Sequence, residues 1–290
     1  MLPEFRPLRI FVTGVSGQLG GVTASRLASR GHEVVGCFHS HRVSISNVRC
    51  VGTDSLDRSL GEFDIILHTA TSYGREGESS EQLLEANVLF PRQVCEALAF
   101  SGVFINIDTA LPAGLTAYSR TKSVFREWLQ AGTMRAVNVK LEHMYGPNDH
   151  PRKLVGRLIA ALKRKEPAIE LTDGKQLRDF VYIDDITSAL VRIVETSRVN
   201  SSWFETGLGS GQLVSVRTMI ETFFEQARNM GFSQTPDLLF GAIARRAGEP
   251  DEISVDIAPL LELGWAPEVQ LRDGLVRTLK SHFSPAGIDR

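Results

Sequence analysis

Short apolar runs alternate with amphipathic stretches through the first half of this chain. RIFVTG (9–14), EVVGCF (33–38), FDIILHTA (Phe63–Ala70), VFINID (Val103–Asp108) and RAVNVKLEH (Arg135–His143) read as strands. Between them, QLGGVTASRLASRG with its stop at Gly31, residues 81–100 and residues 118–131 space their apolar positions as helices do. Strands alternating with helices predict an α/β fold whose parallel sheet is covered on both faces. Near-continuous apolar strands suit that setting, because a central parallel strand is buried on both sides.

After about Gly146 the rhythm loosens. PNDHPRKLVGRLIAALKRKEP reads as a helix and DFVYI as a short strand. DDITSALVRIVETS reads as a helix with Asp184 and Asp185 as its cap, and further helices fall near 216–230 and 271–283. The pattern predicts a first domain over 1–146 and a smaller lobe over 147–290, with some segments returning to the first domain. The lobe is expected over the carboxyl ends of the strands, where open α/β sheets bind ligands. The terminal SPAGIDR reads as frayed.

Composition narrows the classes. At 290 residues, 42% hydrophobic and 23% charged, the chain suits one large or two modest globular domains. A formal net charge of -2 gives no electrostatic reason to expect nucleic acid or an anionic membrane as partner. Cys37, Cys50 and Cys95 are odd in number and lack CxxC spacing, so neither a disulfide framework nor a metal site is expected. No apolar stretch approaches the ~20 residues of a bilayer span. MLPEFRPLRIFVTG shows no signal-peptide pattern. A cytoplasmic protein is expected.

Chemistry enters at VTGVSGQLG, where Gly14, Gly17 and Gly20 fall at the turn from the first strand to the first helix, with Ser16, Gln18 and Leu19 in the same turn. Side chains there would hold a pyrophosphate away from the backbone N–H groups at the helix N-terminus. The spacing is a variant of the dinucleotide fingerprint, and it predicts a Rossmann-type doubly wound sheet. An NAD site carries an acid about 20 residues on, for the ribose hydroxyls. Here the second strand ends CFHSHRVS, with Ser40, His41 and Arg42 and no acid. That favours NADP(H), with NAD(H) kept as an alternative, although Arg42 also reads as a solvated loop charge.

In IDTALPAGLTAYSRTK, Tyr118 and Lys122 lie four apart and share one helix face. A phenol of ordinary pKa about 10 is a weak acid–base catalyst near neutrality, and a neighbouring ammonium, together with the positive charge of an oxidised nicotinamide, lowers it. The pair is expected to transfer a proton, with Lys122 also reaching the nicotinamide ribose. Without the glycine loop upstream, Tyr118 would read as a surface tyrosine.

The glycine loop, LHTATSYG, Asn87, YSRTK, LEHMYGPND, GKQLRDFVYIDD and RRAGEPDEI together resemble the extended short-chain dehydrogenases/reductases that act on nucleotide-activated sugars. The resemblance implies an α/β Rossmann-type sheet with a smaller C-terminal substrate lobe. It implies catalysis by Tyr118 and Lys122 with Thr109, although Asp108 competes for that third place. Cofactor contacts carried over are Asp54 and Ser55 near the adenine and Ala70 and Thr71 near the nicotinamide, with Asn87 as a structural asparagine under the active site. Substrate contacts carried over are Tyr73, Glu142, His143, and Arg178 with Arg246 for the diphosphate, the pattern favouring Arg246 only mildly over the adjacent Arg245. His143 stands where the family has asparagine, and reads equally as a buried, satisfied histidine. Tyr118 follows Thr109 by only nine positions, a trimmed loop with both anchors kept.

What the resemblance implies as activity is NADPH-dependent reduction of the 4-keto group of a nucleotide-linked deoxy- or dideoxysugar, with CDP favoured as the nucleotide. An NAD-dependent 4-epimerase and a non-catalytic NADP(H)-binding regulator are the alternatives. A nucleotide sugar is the expected partner. Val124, Phe125, Trp128 and Leu129 could serve a homodimer or the core.

Overall fold

The computed structural model describes residues 6–196 and 202–283; the SPAGIDR tail lies outside them. Elements follow in chain order. The first stretch holds β1 (Arg9–Thr13), α1 (Gln18–Ser29), β2 (Glu33–Phe38), β3 (Val48–Gly52), β4 (Glu62–His68), α2 (Ser80–Leu84), α3 (Phe90–Ala97), β5 (Ala99–Thr109), α4 (Ala117–Ala131) and β6 (Ala136–Leu141). There follow β7 (His143–Tyr145), α5 (Leu154–Arg164), β8 (Ala168–Leu171), β9 (Leu177–Tyr182) and α6 (Ile183–Thr196). The last are β10 (Trp203–Leu208), β11 (Leu213–Ser215), α7 (Val216–Asn229), β12 (Asp237–Phe240), α8 (Ala258–Glu262) and α9 (Leu271–His282).

Two compact units result. The first comprises 1–141, 187–207 and 258–265; the second comprises 142–186, 208–257 and 266–290.

The first unit is built on a seven-stranded sheet of order β10-β6-β5-β4-β1-β2-β3. The pairings from β3 through to β6 are parallel. Strand order reverses at β1, which lies between β2 and β4, so the loops after β1 and β4 emerge side by side. Ile10, Phe11 and Val12 have no exposed surface, as a strand covered on both faces requires. The core gathers Phe11, Phe63, Ile66, Phe104, Phe125 and Leu129, with edge-on ring contacts between Phe11 and Phe63 and between Phe104 and Phe125. Phe125 and Leu129 are therefore core residues, whereas Val124 is 43% exposed.

The helix expected over 81–100 ends at Ala97, and the strand expected from Val103 starts at Ala99. The cause is a register shift between Phe63 and Ile65, which brings Ala99 and Phe100 into the β4 ladder. Gly102 makes the shift possible, since a Cβ there would stand inside the Asp64 carbonyl. The helix itself is interrupted by a π-helical turn, Glu85–Leu89. His32 is buried, accepts from the Leu8 amide at 3.2 Å and lies 3.6 Å from Glu195.

The second unit contains a three-stranded sheet, β11-β9-β7, and a pair, β12-β8. The expected strand over 135–143 is split at Glu142, where the chain leaves β6 and enters β7. The helix expected from Pro147 starts only at Leu154. Asp185 lies inside the first turn of α6, and its carboxylate accepts from the Glu268 and Val269 amides at 3.1 and 2.9 Å.

Candidate active site

The β1–α1 turn shows why glycine is needed. Gly14 adopts φ +71, and a Cβ on it would lie 2.8 Å from both the Cα and N of Ala70. A Cβ on Gly20 would sit 2.6 Å from the Thr69 hydroxyl and closer still to the Gly14 carbonyl. Gly17 is the N-cap of α1, with no side-chain cap and no acid in the first turn. The amides of that turn, at Gln18, Leu19 and Gly20, are those a helix start leaves without intrahelical acceptors. The Leu19 side chain packs inward, so only its backbone belongs to the loop surface.

Thr13 and His68 hold the neighbouring β4 turn, and neither was read from the sequence. The Thr13 hydroxyl accepts from the Thr69 and Ala70 amides at 3.1 and 3.2 Å, so its own proton goes to His68 Nδ1 at 2.9 Å. Burial, reinforced by Lys122, keeps His68 well below the usual imidazole range, and the ring is neutral.

At the end of β2 the expected residues are exposed. The Ser40 hydroxyl and His41 Nδ1 lie 3.0 Å apart, and the Arg42 guanidinium has no protein partner among the described residues. The exposed Asp54 accepts from Ser55 Oγ at 3.2 Å.

Asn87 sits in the π turn, a feature common at functional sites. It is fully buried. Its oxygen accepts from Thr71 Oγ1 and the Ser72 amide, both at 2.9 Å, while its amide group donates to the Ser72 carbonyl at 2.9 Å and Thr121 Oγ1 at 3.0 Å. All its hydrogen-bonding positions are spent on protein, so it ties the 71–72 loop to α4 rather than offering a polar group to a cofactor.

The trimmed loop still delivers the pair. Residues 110–116 close through a turn, Leu115 N to Pro112 O at 3.0 Å, and then a capping box between Thr116 and Ser119 starts α4. Tyr118 therefore lies in the first helical turn with the hydroxyls of Thr109 and Thr71 beside its own. Its ring lies 5.0 Å from that of the exposed Tyr73, over which Arg75 is stacked.

Burial, with Tyr73 and Asp108 adding to it, raises the Tyr118 phenol well above its ordinary value against the opposing Thr109 and Thr71 contacts. Lys122 is not among the groups that shift the phenol here, and burial dominates both partners of the pair. The same burial lowers the Lys122 ammonium to about 8, against the pull of Asp108. Lys122 Nζ has no hydrogen-bond partner among the described residues.

Thr109 and Asp108 separate into different roles. Asp108 Oδ2 is bound to Arg126 Nη1 at 2.6 Å and Asn138 Nδ2 at 3.1 Å, and Oδ1 accepts from the Thr109 amide at 2.8 Å. Of these two, it is the Thr109 side chain that hydrogen-bonds Tyr118. Cys37 and Cys95 offer no nucleophile, since burial pushes both thiols up to about 12.

In the second unit Arg178 is buried. It ion-pairs with Glu249 at 2.8 Å and donates to the Leu177 and Pro250 carbonyls at 2.7 and 3.0 Å. Glu249 was not singled out from sequence. Arg245 is held by Asp251 at 2.7 Å, whereas Arg246 is exposed and has no partner among the described residues. Glu142 is buried, with Oε1 unpartnered among the described residues and Oε2 3.3 Å from His143 Nδ1. Burial raises its carboxyl. His143 packs edge-on against Phe180 and is only partly covered, which corrects the buried-histidine alternative.

Residues 10–203 match the NAD dependent epimerase/dehydratase family. The chain belongs to that family. Among curated family relatives, CDP-abequose synthase of Salmonella typhimurium is 27% identical over 93% of this chain and 97% of its own length. The solved structure of MoeE5 in complex with UDP-glucuronic acid and NAD matches with a TM-score of 0.80 at 22% identity, covering 94% of this chain and 98% of that one. RMD from Pseudomonas aeruginosa complexed with NADPH matches at 0.76 and 22%, covering 95% and 98%. These two likenesses concern the fold. Family and relatives make the chain an NAD(P)-dependent enzyme of the nucleotide-sugar class. No helix among the described residues is long and apolar enough to cross a membrane.

The first unit fits a nicotinamide dinucleotide on two observations. The turn at Gly14 and Gly20 has no room for a Cβ, and Lys122 presents a buried donor without an acceptor.

Proposed function

We propose that this chain reduces the 4-keto group of a nucleotide-activated deoxysugar, with NADPH as reductant and CDP as the nucleotide. The observation that carries this reading is the Tyr118–Lys122–Thr109 cluster, with an unpartnered lysine nitrogen and a phenol held protonated by burial. A protonated Tyr118 is the state a proton donor needs at neutral pH. The reduced nicotinamide, when bound, supplies the hydride. Tyr118 gives its proton to the carbonyl oxygen as negative charge develops there, and the Thr109 hydroxyl donates to the same oxygen. The Lys122 ammonium stabilises the phenolate left behind. Tyr73, tilted against Tyr118 and exposed, offers an apolar face to the sugar.

Ser40, His41 and Arg42 favour NADPH, since a free guanidinium pairs with a 2′-phosphate while no acid follows β2 to repel it. Arg42→Ala is expected to reduce the preference for NADPH over NADH by about tenfold or more, read as the ratio of kcat/KM for the two. An unchanged ratio would remove Arg42 from the argument.

Diphosphate recognition falls to Arg246, which is free, and to Arg178, which must exchange Glu249 for the ligand. Arg246→Ala is expected to weaken CDP binding by about tenfold in calorimetry with melting unchanged, because the exposed guanidinium holds nothing else. A loss of melting temperature instead would mark Arg246 as structural.

NADPH oxidation with CDP-, TDP- and GDP-linked 4-keto-deoxysugars tests the reading as a whole. Turnover with one nucleotide and a preference for NADPH supports it. Tight cofactor binding with no net oxidation favours a 4-epimerase, which regenerates its cofactor, or a non-catalytic NADP(H)-binding regulator. The exposed Val124 and Leu89 (42%) leave room for a homodimer through α4 and its neighbouring helix.

A further inference from the structure

The Lys122 nitrogen is buried with no hydrogen-bond partner among the described residues, an arrangement that burial makes costly. The groups around it come from several elements. Arg126 and Tyr118 lie one turn either side of it on α4. Asp108 comes from β5, and His68, held neutral, from β4. Asn138 of β6 is uncharged, and it links Asp108 to Glu205 of β10, donating to Asp108 at 3.1 Å and to Glu205 at 2.9 Å. Lys140 neutralises Glu205 at 2.6 Å.

Of these charges, Asp108 favours the ammonium form, while Arg126 and burial oppose it. The Asp108 side chain has no exposed surface, and one of its oxygens also fixes the Thr109 amide. Arg126, bound to the other oxygen, limits how strongly that carboxylate acts on its surroundings.

We propose that Asp108 and Arg126 form a positioning pair that sets the protonation state of Lys122, and with it the pH range of proton transfer at Tyr118. The second half rests on the proton-transfer reading above. Asp108 acts as the counter-charge of Lys122, and Arg126 tempers it. The two variants therefore move Lys122 in opposite directions. A pair that served only to hold β5 against α4 would change stability and leave Lys122 alone.

The test is a pH titration of the lysine side-chain carbons by NMR in the full chain, with the Lys122 signal assigned by its loss in Lys122→Met. Asp108→Asn keeps the shape and removes the charge, and is expected to lower the Lys122 midpoint by about one unit; Arg126→Met is expected to raise it by a smaller amount. Should Arg126→Met not fold with Asp108 left unpaired, Asp108→Asn/Arg126→Met replaces it, and its midpoint should lie above that of Asp108→Asn alone. The alkaline limb of kcat should move in the same order. Identical midpoints in all variants would overturn the proposal whatever the activity. Shifted midpoints without turnover on any nucleotide sugar would overturn the functional reading and leave the pair's effect on Lys122 standing.

Discussion

Tyr118→Phe is expected to reduce kcat by about three orders of magnitude while leaving NADPH affinity essentially unchanged. The substitution removes one oxygen and keeps the ring that packs against Tyr73. Without that oxygen no proton stands ready beside Thr109, and the oxygen of the reduced carbonyl must take its proton from solvent. Binding survives because the glycine turn and Lys122 are untouched. Thr109→Val provides the comparison, with a smaller loss, since it deletes one donor to the carbonyl oxygen rather than the transferred proton. Single-turnover rates with cofactor binding by fluorescence separate the two effects. Wild-type turnover in the phenylalanine variant would show that the proton comes from elsewhere.

Gly14→Ala should weaken NADPH binding by about a hundredfold, equivalent to about 2.7 kcal/mol. Two costs combine. An alanine at φ +71 is strained by about 1–3 kcal/mol. Its methyl group would also stand 2.8 Å from the Ala70 backbone, which cannot retreat without moving the Thr13–His68 anchor. Gly20→Ala should be comparably severe, because its obstacle is the Gly14 carbonyl itself. Gly17→Ala should be the mildest, since its new atom meets only that carbonyl, at 3.2 Å, on an exposed N-cap. Calorimetric titration of the three variants with NADPH reads the ranking. Equal losses at all three would mean that crowding by the loop backbone is not what requires glycine.

The parts of this site that sequence revealed are those whose chemistry is local. The β1–α1 turn, the short β5–α4 loop and the Tyr118–Lys122 spacing each involve residues a few positions apart, and hydrophobic period placed them on the right elements. Roles that depend on distant partners were not legible. Arg178 looked free for a diphosphate because Glu249, its partner, is 71 positions away. Asp108 competed with Thr109 until Arg126 and Asn138, 18 and 30 positions on, were seen to claim its carboxylate. The direction of the Tyr118 shift also depends on burial, which a four-residue spacing does not encode. Strand β3 was missed because its residues are only partly buried, so VRCVG lacks the apolar run that marked its neighbours.

The π turn at Glu85–Leu89 gives chain length an unusual meaning here. It accommodates one residue more than an α-helix would, and one residue is about 100° of rotation. Shortening this helix by a single position would look like harmless length variation. It would nonetheless swing the side chain at 87 away from Ser72 and Thr121, uncoupling the 71–72 loop from the helix that carries Tyr118. At this point in the chain, the number of residues matters as much as their identity.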